Sequence, residues 1–134
     1  MPELAGRVAL VTGGSRGIGA AICEELGAAG ATVAVNYASN ADAAAAACRA
    51  VEAAGGTAHA VQGDVSTAEG AAALVEAVER DIGPIDVLVN NAGITRDDLI
   101  MRLSEQDWRD VIDTNLGGAF FTSKAASRPM LKRR

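Results

Sequence analysis

Segments with the character of strands and segments with the character of helices alternate along the chain. Short apolar segments typical of strands in a parallel sheet fall at 7–12, 31–36, 57–62 and 85–90. Apolar residues recur at helical spacing over 17–29, about 40–54, 66–82 and from 104 onward. Strand and helix thus alternate four times, which predicts an α/β fold with a parallel sheet and right-handed crossovers. We expect the strand order 3-2-1-4, between two layers of helices.

Residue types at the predicted helix ends support these boundaries. Gly30 follows the first helix at the position where a left-handed residue ends many helices. Ser39 or Asn40 can cap the second helix. Residues 66–69 read Ser-Thr-Ala-Glu, which predicts a capping box at the third helix. Residues 104–107 predict a cap for the last one.

A glycine-rich turn joins the first strand to the first helix. Gly13 permits a tight turn, while Gly17 and Gly19 let the backbone come close to a ligand and to the strand. Backbone N–H groups and the positive end of the helix dipole meet here, and together they attract phosphate. The spacing, Gly-x-x-x-Gly-x-Gly, differs from the common dinucleotide fingerprint. A purely structural turn without a ligand is the alternative at this point.

Composition narrows the class of protein. The chain has 134 residues, 49% of them hydrophobic and 22% charged, as expected for one globular domain over residues 1–134. Its net charge of −5 argues against nucleic acid or an anionic membrane as the main partner. We see no signal peptide or membrane-spanning run, and we expect a cytoplasmic protein. Cys23, Cys48 and His59 have no metal-ligand spacing, so we expect structural roles and no metal site.

Four segments together resemble one family. They are the glycine turn at 12–19, Asp64 and Val65 after the third strand, the Asn-Asn-Ala-Gly of 90–93, and Asn115 on the last helix. In order and spacing they resemble the short-chain dehydrogenase/reductase family. Residues 93–102 narrow the resemblance, since they are similar to the 3-oxoacyl-[acyl-carrier-protein] reductases of fatty acid biosynthesis. The resemblance covers essentially the whole chain and implies a Rossmann-like fold.

The resemblance also implies a set of roles. The glycine turn would hold the pyrophosphate, and Asp64 would accept a hydrogen bond from the adenine amino group. Asn90, Ala92 and Gly93 would stabilise the end of the central strand and lie along the ribose. Asn115, the one catalytic residue of the family that is present, would kink its helix and order a water in a proton relay. The expected cofactor-binding residues are Gly13, Ser15, Arg16, Gly17, Ile18, Gly19, Asn36, Asp64, Val65, Asn90, Ala92 and Gly93.

The choice of cofactor can be argued from the residues themselves. A site for NAD usually has an acidic residue about 20 positions past the glycine turn, which binds the ribose 2′-hydroxyl. Here the second strand ends in Asn36 and Tyr37, and no carboxylate occurs before Asp42. The guanidinium of Arg16, inside the turn, can pair with a 2′-phosphate. We therefore expect NADP(H), with Arg16 as a merely solvated charge being the alternative.

The resemblance implies a catalytic tyrosine, a lysine four residues later and a serine, all beyond this stretch. The one tyrosine, Tyr37, is followed four positions on by Ala41, and Lys124 is preceded by Phe120 instead of tyrosine. We therefore expect the cofactor-binding half of an NADPH-dependent oxidoreductase, truncated before its catalytic segment and inactive alone. The alternative is a flavodoxin-like nucleotide-binding module or a self-associating scaffold without turnover.

Two kinds of partner are expected. The fourth strand would be a sheet edge at which Ile85, Val87 and Val89 lose part of their cover, and Trp108, Phe120 and Phe121 need burial. We therefore expect a homo-oligomer, formed by edge strands or by helix packing. The resemblance also makes Arg134 a candidate contact for an acidic acyl carrier protein; a solvated helix end explains the same basic residues without a partner.

Overall fold

The computed structural model describes residues 3–94 and 99–133. Within these residues four strands alternate with helices as predicted, and a short π-helical segment divides the last helical region into two α-helices, which makes five. In chain order the elements are β1 (Val8–Val11), α1 (Gly17–Ala28), β2 (Thr32–Tyr37), α2 (Ala41–Ala53), β3 (Thr57–Gln62), α3 (Ala68–Asp81), β4 (Ile85–Val89), α4 (Glu105–Val111), the π segment (Ile112–Gly117) and α5 (Gly118–Arg133).

The strands form one parallel sheet in the order β3-β2-β1-β4. This order confirms the α/β, Rossmann-like prediction. Val11 lies opposite Val35 on one side and Val89 on the other, so β1 and β4 end at the same level and β2 continues for two residues, to Tyr37. The loops that follow them therefore meet at one edge of the sheet, at the point where the strand order reverses.

Apolar side chains fill both faces of the sheet. Val11, on one face of β1, packs in a cluster with residues of β2, β3, α1 and α2: Cys23, Ala31, Val33, Val35, Ala47, Val51 and Ala58. Leu10, on the other face, packs with residues of the strands, of α3 and α5 and of the loop after β3: Val8, Ala34, Val65, Leu74, Val75, Val78, Ile85 and Ala126. The strand is buried on both faces, which explains its unbroken apolar run.

The predicted helix ends are confirmed at three places and wrong at one. Gly30 has φ +95°, the Asn40 side chain accepts a hydrogen bond from Ala43 N–H, and Ser104 and Asp107 form a capping box. The capping box predicted for α3 is wrong, because the cap is Thr67, whose hydroxyl accepts from Gly70 N–H. The Ser66 hydroxyl donates to Asp64 instead.

The last helix, predicted as one element from residue 104 onward, is interrupted by the π segment. Its regular turns stop at Val111, widen through the π segment and resume at Gly118. A π turn contains more backbone per turn than an α turn, so the side chains before and after it do not share one 3.6-residue repeat. The widened part contains Thr114 and Asn115.

The edge strand β4 is less exposed than its sequence predicted. Val87 and Val89 are half-buried, as expected. Ile85 is 1% exposed, so the expectation that it loses cover is wrong, since it packs with Val78 and Ala126 in the core. Within residues 3–94 and 99–133, none of the helices combines the length and apolarity needed to cross a bilayer.

Candidate functional site

A cleft opens at the carboxyl ends of β1, β2 and β3. Its volume of about 260 Å³ lies near the lower end of the range for ligand pockets, so it fits part of a dinucleotide. Its lining residues come from the glycine turn, the loops after all four strands and the π segment: Gly13, Ser15, Arg16, Asn36, Tyr37, Ala38, Gly63, Asp64, Val65, Asn91, Ala92, Gly93, Ile94 and Thr114.

The glycine turn requires its glycines for two different reasons. Gly13 and Gly17 have φ of +62° and +59°, a conformation that side chains disfavour. A Cβ atom at Gly13 would also lie 2.8 Å from the Cα of Ala92. Gly19 has ordinary dihedral angles, but a Cβ there would collide with the Gly13 carbonyl oxygen and with the Asn91 side chain. The first turn of α1 therefore packs directly against the turn that precedes it.

The start of α1 presents backbone N–H groups without partners. Arg16 at the N-cap position makes no capping bond with its side chain, whereas Asn40, Thr67 and Ser104 cap the next three helices. In the part of the chain that the structure describes, the five N–H groups of residues 15–19 donate no hydrogen bond. Such N–H groups at a positive helix end form an anion site, because they are already oriented and need a partner.

A buried threonine connects this turn to the loop after β4. Thr12 is 1% exposed. Its hydroxyl oxygen accepts hydrogen bonds from Asn91 N–H at 3.0 Å and from Ala92 N–H at 3.1 Å. The Asn91 side chain donates to the Gly13 carbonyl at 3.1 Å. These contacts fix the two loops against each other. Sequence reasoning did not assign roles to Thr12 or Asn91, although their positions at two strand ends were a signal.

Asp64 lines the cleft just after β3, which β2 separates from β1 and its glycine turn. Its Oδ1 atom accepts hydrogen bonds from the Ser66 hydroxyl at 2.6 Å and from the Ser66 N–H at 2.9 Å. These bonds lower the pKa of the Asp64 carboxyl, the hydroxyl having the larger effect. Asp64 is exposed and ionised at neutral pH, so it can accept a hydrogen bond from an exocyclic amino group.

The cleft wall formed by the end of β2 contains no acidic side chain. Tyr37 and Ala38 line the cleft there, together with Arg16 from the turn. Arg16 is exposed and forms no ion pair with any residue in 3–94 or 99–133. Its guanidinium is therefore available to an anionic ligand.

The π segment touches the site through Asn115. The Asn115 Oδ1 accepts from Ile94 N–H at 2.7 Å, and its Nδ2 donates to the Ile94 carbonyl at 3.1 Å. Asn115 thus pairs with a loop peptide as a neighbouring strand would. Gly93 is adjacent, and a Cβ there would lie 3.1 Å from the same Oδ1.

The structure brings most of the predicted residues together. Those that line the cleft are Gly13, Ser15, Arg16, Asn36, Asp64, Val65, Ala92 and Gly93; those outside its lining are Gly17, Ile18, Gly19, Asn90 and Asn115. Among the latter, Asn90 donates from Nδ2 to the Ser123 hydroxyl at 3.0 Å, and Ile18 is 76% exposed. Arg134 lies outside the described residues, as do 95–98. Their predicted roles, like the cofactor contacts, remain predictions.

The family model for short chain dehydrogenases matches residues 7–134. This chain belongs to the short-chain dehydrogenase family. It is 48% identical over 126 residues to the 3-oxoacyl-[acyl-carrier-protein] reductase FabG of Staphylococcus aureus, covering 94% of this chain and 51% of that one. It is 48% identical over 134 residues to the 3-oxoacyl-[acyl-carrier-protein] reductase of Synechocystis, covering 100% of this chain and 54% of the relative.

Solved structures agree with this assignment. A 3-oxoacyl (acyl-carrier-protein) reductase of Agrobacterium tumefaciens with NADP bound has a TM-score of 0.88 and 39% identity, over 97% of this chain and 50% of that one. A short chain dehydrogenase of Burkholderia cenocepacia in complex with NADP has a TM-score of 0.88 and 41% identity, over 94% and 51%. The short-chain dehydrogenase chain thus spans about half the length of the relatives it matches.

Proposed function

We propose that this chain is the NADP(H)-binding part of a 3-oxoacyl-[acyl-carrier-protein] reductase. The observation that carries the proposal is the set of partnerless N–H groups at residues 15–19, of which Ser15 and Arg16 line the same cleft as the ionised Asp64. The first group suits the diphosphate of a dinucleotide and the second suits an adenine amino group. The reductases of Staphylococcus aureus and Synechocystis support the choice of substrate class.

The residues present fit such a cofactor. The N–H groups of residues 15–19 would hold its diphosphate, Asp64 its adenine, and Arg16 a 2′-phosphate. When bound, the nicotinamide supplies or takes up a hydride. Thr12 and Asn91 contribute by holding the loop after β4 against the turn, so that the cleft keeps its shape before a ligand arrives.

Preference for NADPH over NADH follows from the charge at the β2 side of the cleft. With Arg16 available and no carboxylate on this wall, a 2′-phosphate gains a cation and meets no repulsion. The test is a fluorescence titration of the chain with each cofactor. We expect Arg16→Gln to weaken the binding of NADPH about 10- to 100-fold, as a charged hydrogen bond is worth about 1.5–3 kcal/mol, and to leave the affinity for NADH within about twofold.

A matched control for Arg16 is Arg49→Gln. Arg49 is an exposed arginine in α2 outside the cleft lining, so its replacement removes the same charge from the protein without touching the cleft. Equal weakening of NADPH and NADH by Arg16→Gln would contradict the 2′-phosphate contact. Failure of the unchanged chain to bind either cofactor would contradict the proposed function itself.

We also propose that these 134 residues bind cofactor without reducing a ketone. Reduction of a ketone needs a group that gives a proton to the nascent alkoxide. The one tyrosine in the sequence, Tyr37, is half-buried at the end of β2 and is followed four positions on by Ala41 instead of a lysine. A positioned acid contributes about 10²–10⁴ in rate. Following NADPH absorbance with a 3-oxoacyl thioester tests this proposal, and turnover at the rate of an intact reductase would overturn it.

Self-association is a further proposal, supported by exposed apolar side chains. Trp108, Leu116 and Phe120 are 65%, 67% and 60% exposed, and the Phe120 and Phe121 rings pack edge to face 5.7 Å apart. Apolar surface of this kind promotes association. We expect sedimentation to show a dimer or larger species, and a monomer at micromolar concentration would contradict this. The predicted contact of an acyl carrier protein with Arg134 stays a prediction.

A further inference from the structure

We propose that Asn36 is a positioning residue: it touches no cofactor, but fixes the glycine turn relative to the loop after β3. The dinucleotide is then held by two walls whose separation this one side chain sets. The inference rests on the proposed function for its effect on cofactor affinity. The anchoring of the turn stands on the geometry of the protein alone.

Every hydrogen-bonding atom of the Asn36 side chain is used within the protein. Its Oδ1 accepts from Gly13 N–H at 3.1 Å, and its Nδ2 donates to the carbonyls of Val61 and Gly63, both at 3.2 Å. Its own carbonyl accepts from Gly14 N–H at 2.9 Å. The residue is 2% exposed, although it borders the cleft. Asn36 therefore has little to offer a ligand.

The chemistry at this position requires both halves of a carboxamide. An acceptor must face the Gly13 N–H, while donors must face two carbonyl oxygens. A carboxylate can satisfy the first but has no proton for the second, and it would repel both carbonyls. An alanine satisfies neither and leaves buried backbone groups without partners.

The contacts of Asn36 join the two sides of the cleft. Gly13 belongs to the turn that leads into the open N–H groups of α1, and Gly63 immediately precedes Asp64. The β3 side has little room to move inward, since a Cβ at Gly63 would lie 3.1 Å from Leu74 Cβ and 3.4 Å from Asn36 Nδ2. A ligand that reaches both the turn and Asp64 depends on this spacing, whereas a ligand that reaches only Asp64 does not.

The test compares NADPH with adenosine, which carries no phosphate, on the 134-residue chain. We expect Asn36→Ala to raise the Kd for NADPH about tenfold or more, and the Kd for adenosine by less than about threefold. In the protein without ligand, NMR hydrogen exchange at Gly13 N–H should become about tenfold faster relative to Leu10 N–H, because its acceptor is gone. A merely structural loss would weaken both ligands equally and leave the ratio of the two exchange rates unchanged.

A second variant separates the two halves of the side chain. Asn36→Asp keeps the acceptor for Gly13 but removes the donors to Val61 and Gly63, so Gly13 exchange should stay within about threefold while NADPH still weakens about tenfold. The control is Asn40→Asp, which adds the same charge where the side chain only accepts a hydrogen bond. We expect this control to bind NADPH within about threefold of the unchanged chain.

Each result has a defined consequence. Unchanged Gly13 exchange in Asn36→Ala, or equal weakening of NADPH and adenosine, overturns the positioning role. If Asn36→Ala does not fold, then Asn36→Asp decides, and wild-type affinity for NADPH in that variant overturns the role. If the unchanged chain binds no NADPH, the proposed function fails, and the exchange rates still decide whether Asn36 anchors the turn.

Discussion

The part of the molecule built on β1, β2 and β3 and the part that begins at β4 are held together in different ways. In the first part small apolar side chains pack tightly, and Val11, Val33 and Val35 are fully buried. In the second part Val87, Leu88 and Val89 are half-buried, and hydrogen bonds between a side chain and the backbone hold the start of β4 and the loop that follows it. Thus close packing surrounds the strands next to the glycine turn, while hydrogen bonds of side chains position the loop after β4 against that turn.

The two kinds of contact predict different effects for the substitution of a single residue. Apolar burial is spread over many atoms, so truncating one side chain in the first part removes only the apolar surface that this side chain buries. A hydrogen bond that orients a loop depends on two atoms, so its loss changes position more than it changes buried area. We therefore expect truncations of buried side chains in the first part to change mainly the free energy of unfolding. Loss of an orienting hydrogen bond in the second part should change mainly the position of a loop and the affinity for a cofactor.

Substitution of a buried leucine should change the free energy of unfolding more than any other variant, and an exposed leucine serves as its control. Leu10 is completely buried and Leu116 is 67% exposed. Leu10→Ala should lower the free energy of unfolding by about 2–5 kcal/mol, since it leaves a cavity between packed layers. Leu116→Ala should change it by less than about 0.5 kcal/mol at protein concentrations where the chain is a monomer. Urea unfolding of both variants measures the difference, and a similar cost at the two positions would indicate that Leu116 is covered in solution.

The next effect concerns the contact between the turn and α1. Gly19→Ala should cost about 2–3 kcal/mol in stability, because the added methyl group collides with the Gly13 carbonyl. The control is Gly6→Ala, which has φ +81° and nothing within 4 Å, and which should cost about 1–2 kcal/mol from backbone conformation alone. Thermal unfolding and NADPH titration together measure this, and normal cofactor affinity in Gly19→Ala would contradict close packing at the turn.

A third prediction addresses how β4 begins. Glu79 pairs with Arg133, with Oε1 and Nη1 2.9 Å apart, and also accepts from Ile85 N–H, while Arg133 donates to the Ile85 carbonyl at 2.6 Å. Glu79→Ala leaves these partly buried groups without a partner and should cost about 1–3 kcal/mol. The exposed pair of Arg80 and Asp81 offers a control, since Asp81→Asn should leave the unfolding midpoint unchanged. Equal stability of the two variants would exclude a structural role for the Glu79 network.

The smallest expected effect is a shift in titration. Hydrogen bonds from Ser66 lower the pKa of Asp64 in the folded chain, so the stabilisation by ionised Asp64 is present above its ordinary pKa. That stabilisation is lost as pH falls through the lowered value. Ser66→Ala removes the hydroxyl bond and should raise the pKa of Asp64 towards its usual range, which carboxyl NMR titration measures. An unchanged titration would show that the hydroxyl does not act on Asp64.

The sequence predicted the strands and most helix ends because these depend on neighbours in the chain. The third strand was predicted with its observed bounds, and Asn40 and Ser104 were identified as caps from residue type. The cap of α3 was not, since Ser66 and Thr67 both carry hydroxyls and the choice depends on the nearby Asp64. The functions of Thr12 and Asn36 depend on loops more than 20 positions away, which periodicity and propensity do not describe.

The π segment has a consequence for how this chain tolerates insertions and deletions. Removing one residue from Ile112–Gly117 could let the widened turn relax to regular α-helical geometry at little cost in helix hydrogen bonds. One of the flanking helices, α4 or α5, would then rotate about its axis relative to the other, and Asn115 would lose its alignment with the Ile94 peptide. The length of this segment, and not any one side chain in it, therefore sets the orientation of Asn115. A variant shortened by one residue would test this, whereas point substitutions would not.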